Sequence, residues 1–156
     1  MDTTVESLID YYGQVIAGRG GPELSMACAE HLERALLDYG IDSLHAIDRY
    51  LLVVHEAQED IPTIAYANTI LATAIYVGEA IRRSSPSTVY RWGRTQQTEV
   101  DNSSTAVVLS DLSGLVLLSS TSGTPISPTK CVLRRIRRGA QAYSVHAFAV
   151  AAIQCA

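Results

Sequence analysis

The stretch from Ile61 to Gly78 contains 18 consecutive residues and no charge, and it limits what this chain can fold into more than any other feature. A helix over it has no polar face to offer water, so other elements must cover it on most sides. Its length borders on that of a membrane span. However, Thr63, Asn68, Thr69 and Thr73 interrupt it, and Glu59-Asp60 and Arg82-Arg83 flank it closely. The pattern therefore predicts a buried central helix from near Pro62 to about Arg83, stopped by Ser84-Ser85-Pro86. With 156 residues and a 47% hydrophobic composition, one globular domain over residues 1–156 can enclose it.

Before that segment the apolar spacing is helical. Thr3 and Glu6 form a capping-box pattern ahead of Val5, Leu8, Ile9, Tyr12 and Ile16. Gly18-Arg19-Gly20-Gly21 ends this helix; it lacks both the spacing and the Lys-Ser/Thr of a phosphate loop. Leu24, Cys28, His31, Leu32 and Ala35 predict a second helix up to Tyr39-Gly40, with Pro22 at its start. Asp42 is the expected cap of a third, with the stripe Leu44, Ile47, Leu51 and Val54. After Pro86 the period changes to two: Thr88, Tyr90 and Trp92 alternate with Val89 and Arg91. Ala106–Leu109 and Leu115–Leu118 read as a hairpin joined by Ser110–Gly114. Ser127-Pro128 opens a helix over about 128–138, and Gly139 separates it from a last one over about 142–154. The expected class is α+β: N-terminal helices, a small antiparallel sheet, then C-terminal helices.

Charge is unevenly distributed. Residues 1–81 sum to −10 and residues 82–156 to +6, for a total of −4. A chain with this acidic total is not a globally basic nucleic-acid binder. Cys28, Cys131 and Cys155 are odd in number and form no C-x-x-C, so neither a disulfide framework nor a zinc knuckle is expected. Met1 to Glu6 is acidic and polar, unlike a signal peptide, and a soluble, cytoplasmic protein without a membrane role is expected.

Several residues carry candidate chemistry. Glu79 is the single acid on the apolar helix, and Arg82 and Arg83 stand at the spacings of helical pairing. The two readings are a structural ion pair and a general base in a pocket. Lys130 to Arg138 forms an amphipathic helix, with Val132, Leu133, Ile136 and Ala140 on one arc and Arg134, Arg135, Arg137 and Arg138 on the other. These four arginines suit an acidic protein partner or the chain's own acidic half; they lack the paired aromatics of a nucleic-acid surface. His45, Asp48, His55 and Glu59 share one arc of the third helix, but its two His–acid pairs stand about 10 Å apart, too far for one metal. They are expected to be an exposed polar face. His31 and His146 lie among apolar residues and are expected within the core, and Cys28 on the face of His31 reads as an inert thiol. No catalytic residue, metal ligand or cofactor is assigned.

Tyr76-Val77-Gly78-Glu79, Arg91-Trp92, and Pro128 leading into Val132-Leu133-Arg134-Arg135-Ile136-Arg137-Arg138-Gly139 follow one another in that order. Over residues 43–150 this order resembles a bacterial domain family of unknown function. That family is marked by a Tyr-x-Gly-Glu helix end, a tryptophan strand and a Pro-led basic helix. The resemblance implies the architecture and singles out Glu79 and Trp92; it brings no activity. Without a Cβ, Gly78 lets a strand approach its helix closely. The functional expectation is a non-enzymatic protein-binding module, a regulatory or immunity-type partner with segregated acidic and basic faces, or a homo-oligomer whose opposite halves pair. The alternative is a small-molecule binder or enzyme with a pocket around Glu79, Trp92 and the neighbouring arginines.

Overall fold

The computed structural model describes residues 3–21, 24–86, 89–94 and 114–155, with the side chains of Thr3 and Thr4 left out. It is α+β, with helices at both ends of a three-stranded antiparallel sheet. The helices are α1 (Thr3–Ile16), α2 (Leu44–Ala57), α3 (Thr63–Ser84), α4 (Pro128–Arg138) and α5 (Val145–Gln154). The strands are β1 (Tyr90–Arg94), β2 (Leu115–Ser119) and β3 (Pro125–Ile126), in the spatial order β1-β2-β3.

The uncharged segment is α3, and every residue from Ala67 to Ile81 is buried. Helices α1, α4 and α5 and strand β1 all pack against it, which provides the cover its composition demands. It is the one helix among the described residues long and apolar enough to cross a membrane, and 83% of that window is buried in the protein. The predicted stripe Leu44, Ile47, Leu51 and Val54 is wholly buried on α2, which packs on α4 and α5.

Alternation in β1 follows the sequence: Tyr90 and Trp92 are buried and Arg91 is exposed. Its partner is β2, with Trp92 opposite Leu117 and Arg94 opposite Leu115. The run Ala106–Leu109 and Thr88 lie outside the described residues, as does most of the Ser110–Gly114 turn. Strand β3 was not expected; it pairs Ile126 with Leu117 just before the Ser127 cap of α4.

The expected second helix does not form. Residues 24–40 instead make short 3-10 turns at Ala29–His31 and Arg34–Leu36, and Cys28 and Tyr39 have positive φ. Tertiary partners claim the peptide groups a helix would need: Ala27 N–H donates to Thr69 Oγ1 at 2.8 Å, and Ala27 C=O accepts from the Tyr50 hydroxyl at 2.6 Å. Arg34 Nε donates to Ile16 C=O at 2.9 Å, so this segment also caps the carbonyl end of α1. The start of α2 differs as well: a 3-10 turn, Ile41–Ser43, precedes it, and Asp42 is not its cap.

The six-membered ring of Trp92 packs directly against Gly78, the one glycine of α3. A Cβ on Gly78 would stand 2.2 Å from Trp92 Cη2 and 2.4 Å from Cζ2. Alanine at an ordinary helix position stabilises by about 1 kcal/mol over glycine, but here it must displace a buried indole, at about 1–3 kcal/mol. Gly78→Ala should therefore lower the melting temperature. The loss should shrink when Trp92→Leu is added; equal loss in both backgrounds would break the proposed contact.

Candidate functional site

At the carboxyl end of α3 the buried Glu79 is saturated with donors. Oε1 accepts from Arg82 Nε at 2.8 Å and from Trp92 Nε1 at 2.8 Å; Oε2 accepts from Arg82 Nη2 at 2.9 Å and Arg83 Nε at 3.1 Å. Burial by itself pushes this carboxyl up. The hydrogen bonds from Arg82 and Trp92, with the Arg82 charge, outweigh it and leave the group below its ordinary value. Arg83 also lies over the Tyr39 ring, 3.8 Å from its centroid. Tyr39 in turn stacks on Tyr76, whose hydroxyl meets Ser43 Oγ at 2.7 Å.

Beside this cluster is a cleft of about 270 Å³ lined by Glu6, Asp10, Arg19, Tyr39, Arg82 and Arg83, with Glu79 at its wall. Trp92 does not line it. The residues of the expected pocket thus do meet, but Trp92 meets Glu79 inside the core. A base needs a free lone pair facing substrate, and both Glu79 oxygens already accept two donors each.

The arginines of α4 do not share one face. Arg134, Arg137 and Arg138 are exposed, whereas Arg135 is buried. Its Nη1 donates to Gly139 C=O at 3.0 Å and Ala142 C=O at 2.9 Å, and its Nε lies 3.4 Å from Asp48 Oδ1. The outward arc expected for four arginines is corrected to three, because Arg135 holds the α4–α5 connection. Arg137 lies beside the Tyr66 hydroxyl. Ala140, expected on the buried arc, is exposed.

The polar arc of α2 is likewise not an exposed face. Asp48 is buried and accepts from Val145 N–H at 2.9 Å and His146 N–H at 3.1 Å, capping α5. His55 is half-buried and its Nδ1 donates to Ile136 C=O at 2.6 Å. Glu59 is exposed as expected. His31 is exposed beside Glu30, and His146 is half-buried against His45, so neither is a core histidine. Cys28 is half-buried and its thiol is pushed up by burial and then by Glu30, so it is not an activated thiolate.

Helices α4 and α5 enclose a groove of about 440 Å³ lined by Lys130, Cys131, Arg134, Tyr143, Ala147 and Phe148. This α4–α5 trough adjoins a second hollow of about 400 Å³, lined by Ile126, Thr124 and Cys155, with which it shares Phe148 and Ala151. Its floor is apolar, and Tyr143, 82% exposed, stands at its edge. Among the described residues, Lys130, Arg134 and Arg138 take part in no ion pair. The Cys131 thiol in the trough is pushed up to about 12, by burial first and by Asp48 second, and it is a packing group. Nothing in the local sequence marks this trough, because its walls are brought together by Arg135 and Asp48 across the fold. Comparison with protein families, curated proteins and solved structures gives no match.

The lowered Glu79 carboxyl has a direct consequence for stability. Its contribution is complete above the ordinary carboxylate value of 4.5 and is lost as pH falls through that value toward the folded one. Glu79→Gln should destabilise by about 1.5–3 kcal/mol at neutral pH, since the charge-assisted hydrogen bonds weaken while the partly exposed arginines regain water, and it should flatten the acid limb of the melting-temperature profile. A variant that melts like the parent at every pH would remove the cluster from the stability account. Asp48→Asn should also destabilise, because it leaves Arg135 buried without its counter-charge. Loss of α5 protection in hydrogen exchange is the reading that checks it.

Proposed function

We propose that the protein is a non-enzymatic, cytoplasmic protein-binding module, regulatory or immunity-type by analogy, that receives an acidic amphipathic segment of a partner protein in the α4–α5 trough. The observation that carries this reading is the trough itself: an apolar floor of Ala147, Phe148 and Ala151 with Lys130 and Arg134 on its rim. Apolar anchors fit the floor, and carboxylates fit these cations, which make no ion pair among the described residues. Exposed Tyr143 is the kind of rigid amphipathic side chain on which binding energy concentrates. The other exposed arginines of α4, Arg137 and Arg138, extend the positive field beyond the rim.

A nucleic-acid role is not part of this reading. Arg135 is withdrawn into the core, and the cations beside the trough face a short apolar groove lined by one tyrosine and one phenylalanine. The cleft beside Glu79 supports a second reading, a small polar ligand held by Arg19, Arg82 and Arg83. It ranks second because Glu79 is already satisfied and Glu6 and Asp10 offset the cations.

Fluorescent amphipathic helical peptides that differ only in Glu or Lys on the polar face test the proposal. The Glu peptide should bind and weaken with salt, and Lys130→Glu with Arg134→Glu should cost about tenfold or more, chiefly in association rate. Tyr143→Ala should cost about 1–2 kcal/mol, and Arg91→Glu, an exposed cation on β1, should change little. Equal binding of both peptides, or of neither, would defeat the reading. Sedimentation that depends on concentration and is lost in the same double variant would assign the trough to a second copy of the chain.

A further inference from the structure

Away from the trough and the Glu79 cleft, three potential metal ligands converge from separate elements. Asp42 lies in the 3-10 turn before α2, His45 in the first turn of α2 and His146 in the first turn of α5. The two imidazoles stack with centroids 3.9 Å apart and planes inclined by 23°. One ligand atom from each of the three residues lies within 4.8 Å of the others.

We propose that Asp42, His45 and His146 form a site for a borderline divalent transition ion of the Zn²⁺ type, with its remaining position open to water or to a donor from another molecule. The chemistry of the donors sets the class. Two imidazoles with one carboxylate suit zinc, cobalt, nickel or copper, whereas calcium and magnesium take all-oxygen shells. Three protein ligands leave a tetrahedral ion one open position. Tetrahedral bonds of about 2.0–2.2 Å place donors about 3.3 Å apart, so the observed set must close by at most about 1.5 Å. The stack itself must open, because nearly parallel rings cannot both aim a lone pair at one ion; Asp42 and His45 are exposed, and rotation of the His45 ring out of the stack supplies both that reorientation and the closure.

The supporting structure is in place on the fixed side. His146 is half-buried, and its backbone N–H is held by Asp48 Oδ2 at 3.1 Å. Asp48 lies one turn along α2 from His45, so one helix carries both a proposed ligand and the group that anchors the helix bearing another. The amino end of α5 would by itself repel a cation. The Asp48 carboxylate, accepting from Val145 and His146, offsets that partial charge, and Asp42 adds a second carboxylate.

The test is Co²⁺ and Zn²⁺ titration of the untagged full chain. Co²⁺ should give a tetrahedral visible spectrum without a thiolate charge-transfer band, and Zn²⁺ should displace it and raise the melting temperature reversibly with chelator. His45→Ala and Asp42→Asn, both at exposed positions, should each weaken binding by about tenfold or more. His146→Gln should do the same with an unchanged circular dichroism spectrum. His31→Ala and Cys155→Ser, exposed groups elsewhere, should leave affinity unchanged. A thiolate band, binding that survives His45→Ala, or no binding at millimolar ion would overturn the site.

Discussion

A carboxylate buried directly after 18 uncharged residues has to be neutralised where it stands, and Glu79 achieves this in a way that fixes its neighbours. Its oxygens accept from Arg82 and Arg83 on the following turn and from the Trp92 indole on β1. The first two contacts are local and follow from helical spacing; the third fixes the strand. Once Trp92 Nε1 is tied to Glu79, the ring must lie across the helix one residue earlier, and only glycine at position 78 leaves room. The register of β1 on β2, with Trp92 opposite Leu117, then follows from where the indole is held. A buried ion pair of this kind is weak as a source of net stability but strong as a selector of one arrangement, since any other leaves the charge unpaired.

This explains which parts of the architecture could be read from the residues. Contacts within one or two helical turns were legible: the Glu79 pairing with Arg82 and Arg83, the stripe Leu44, Ile47, Leu51 and Val54, and the limits of α4 at Ser127-Pro128 and Gly139. Gly78 was also legible, because a lone glycine in a long apolar helix implies a close neighbour. Residues 24–40 were not. Their apolar spacing fits a helix, but Thr69 and Tyr50 take the Ala27 peptide from elsewhere in the chain, and a single sequence does not record such long-range competition. The same limit hid Arg135. On a helical wheel it stands with its fellow arginines, and its burial is compensated by the carbonyls of Gly139 and Ala142 in the connection after α4 and by the Asp48 carboxylate.

The Asp48–Arg135 contact joins the two candidate sites. Arg135 belongs to α4, which forms one wall of the trough, and it holds the backbone leading into α5, which forms the other. Asp48 belongs to α2, faces Arg135 at 3.4 Å, and holds the first two amides of α5. The width of the trough and the position of His146 beside His45 are therefore set by the same pair of buried charges. Neither charge is free to move without stranding the other. Because both lie inside the fold, exposed groups such as Tyr143, Lys130, Asp42 and His45 stand on a rigid frame, which lowers the ordering cost of any contact they make. An ion bridging His45 and His146 would tighten α5 onto α2 and so act on the far wall of the trough through one rigid element. Coupling between the two sites thus requires no further moving part than α5 itself.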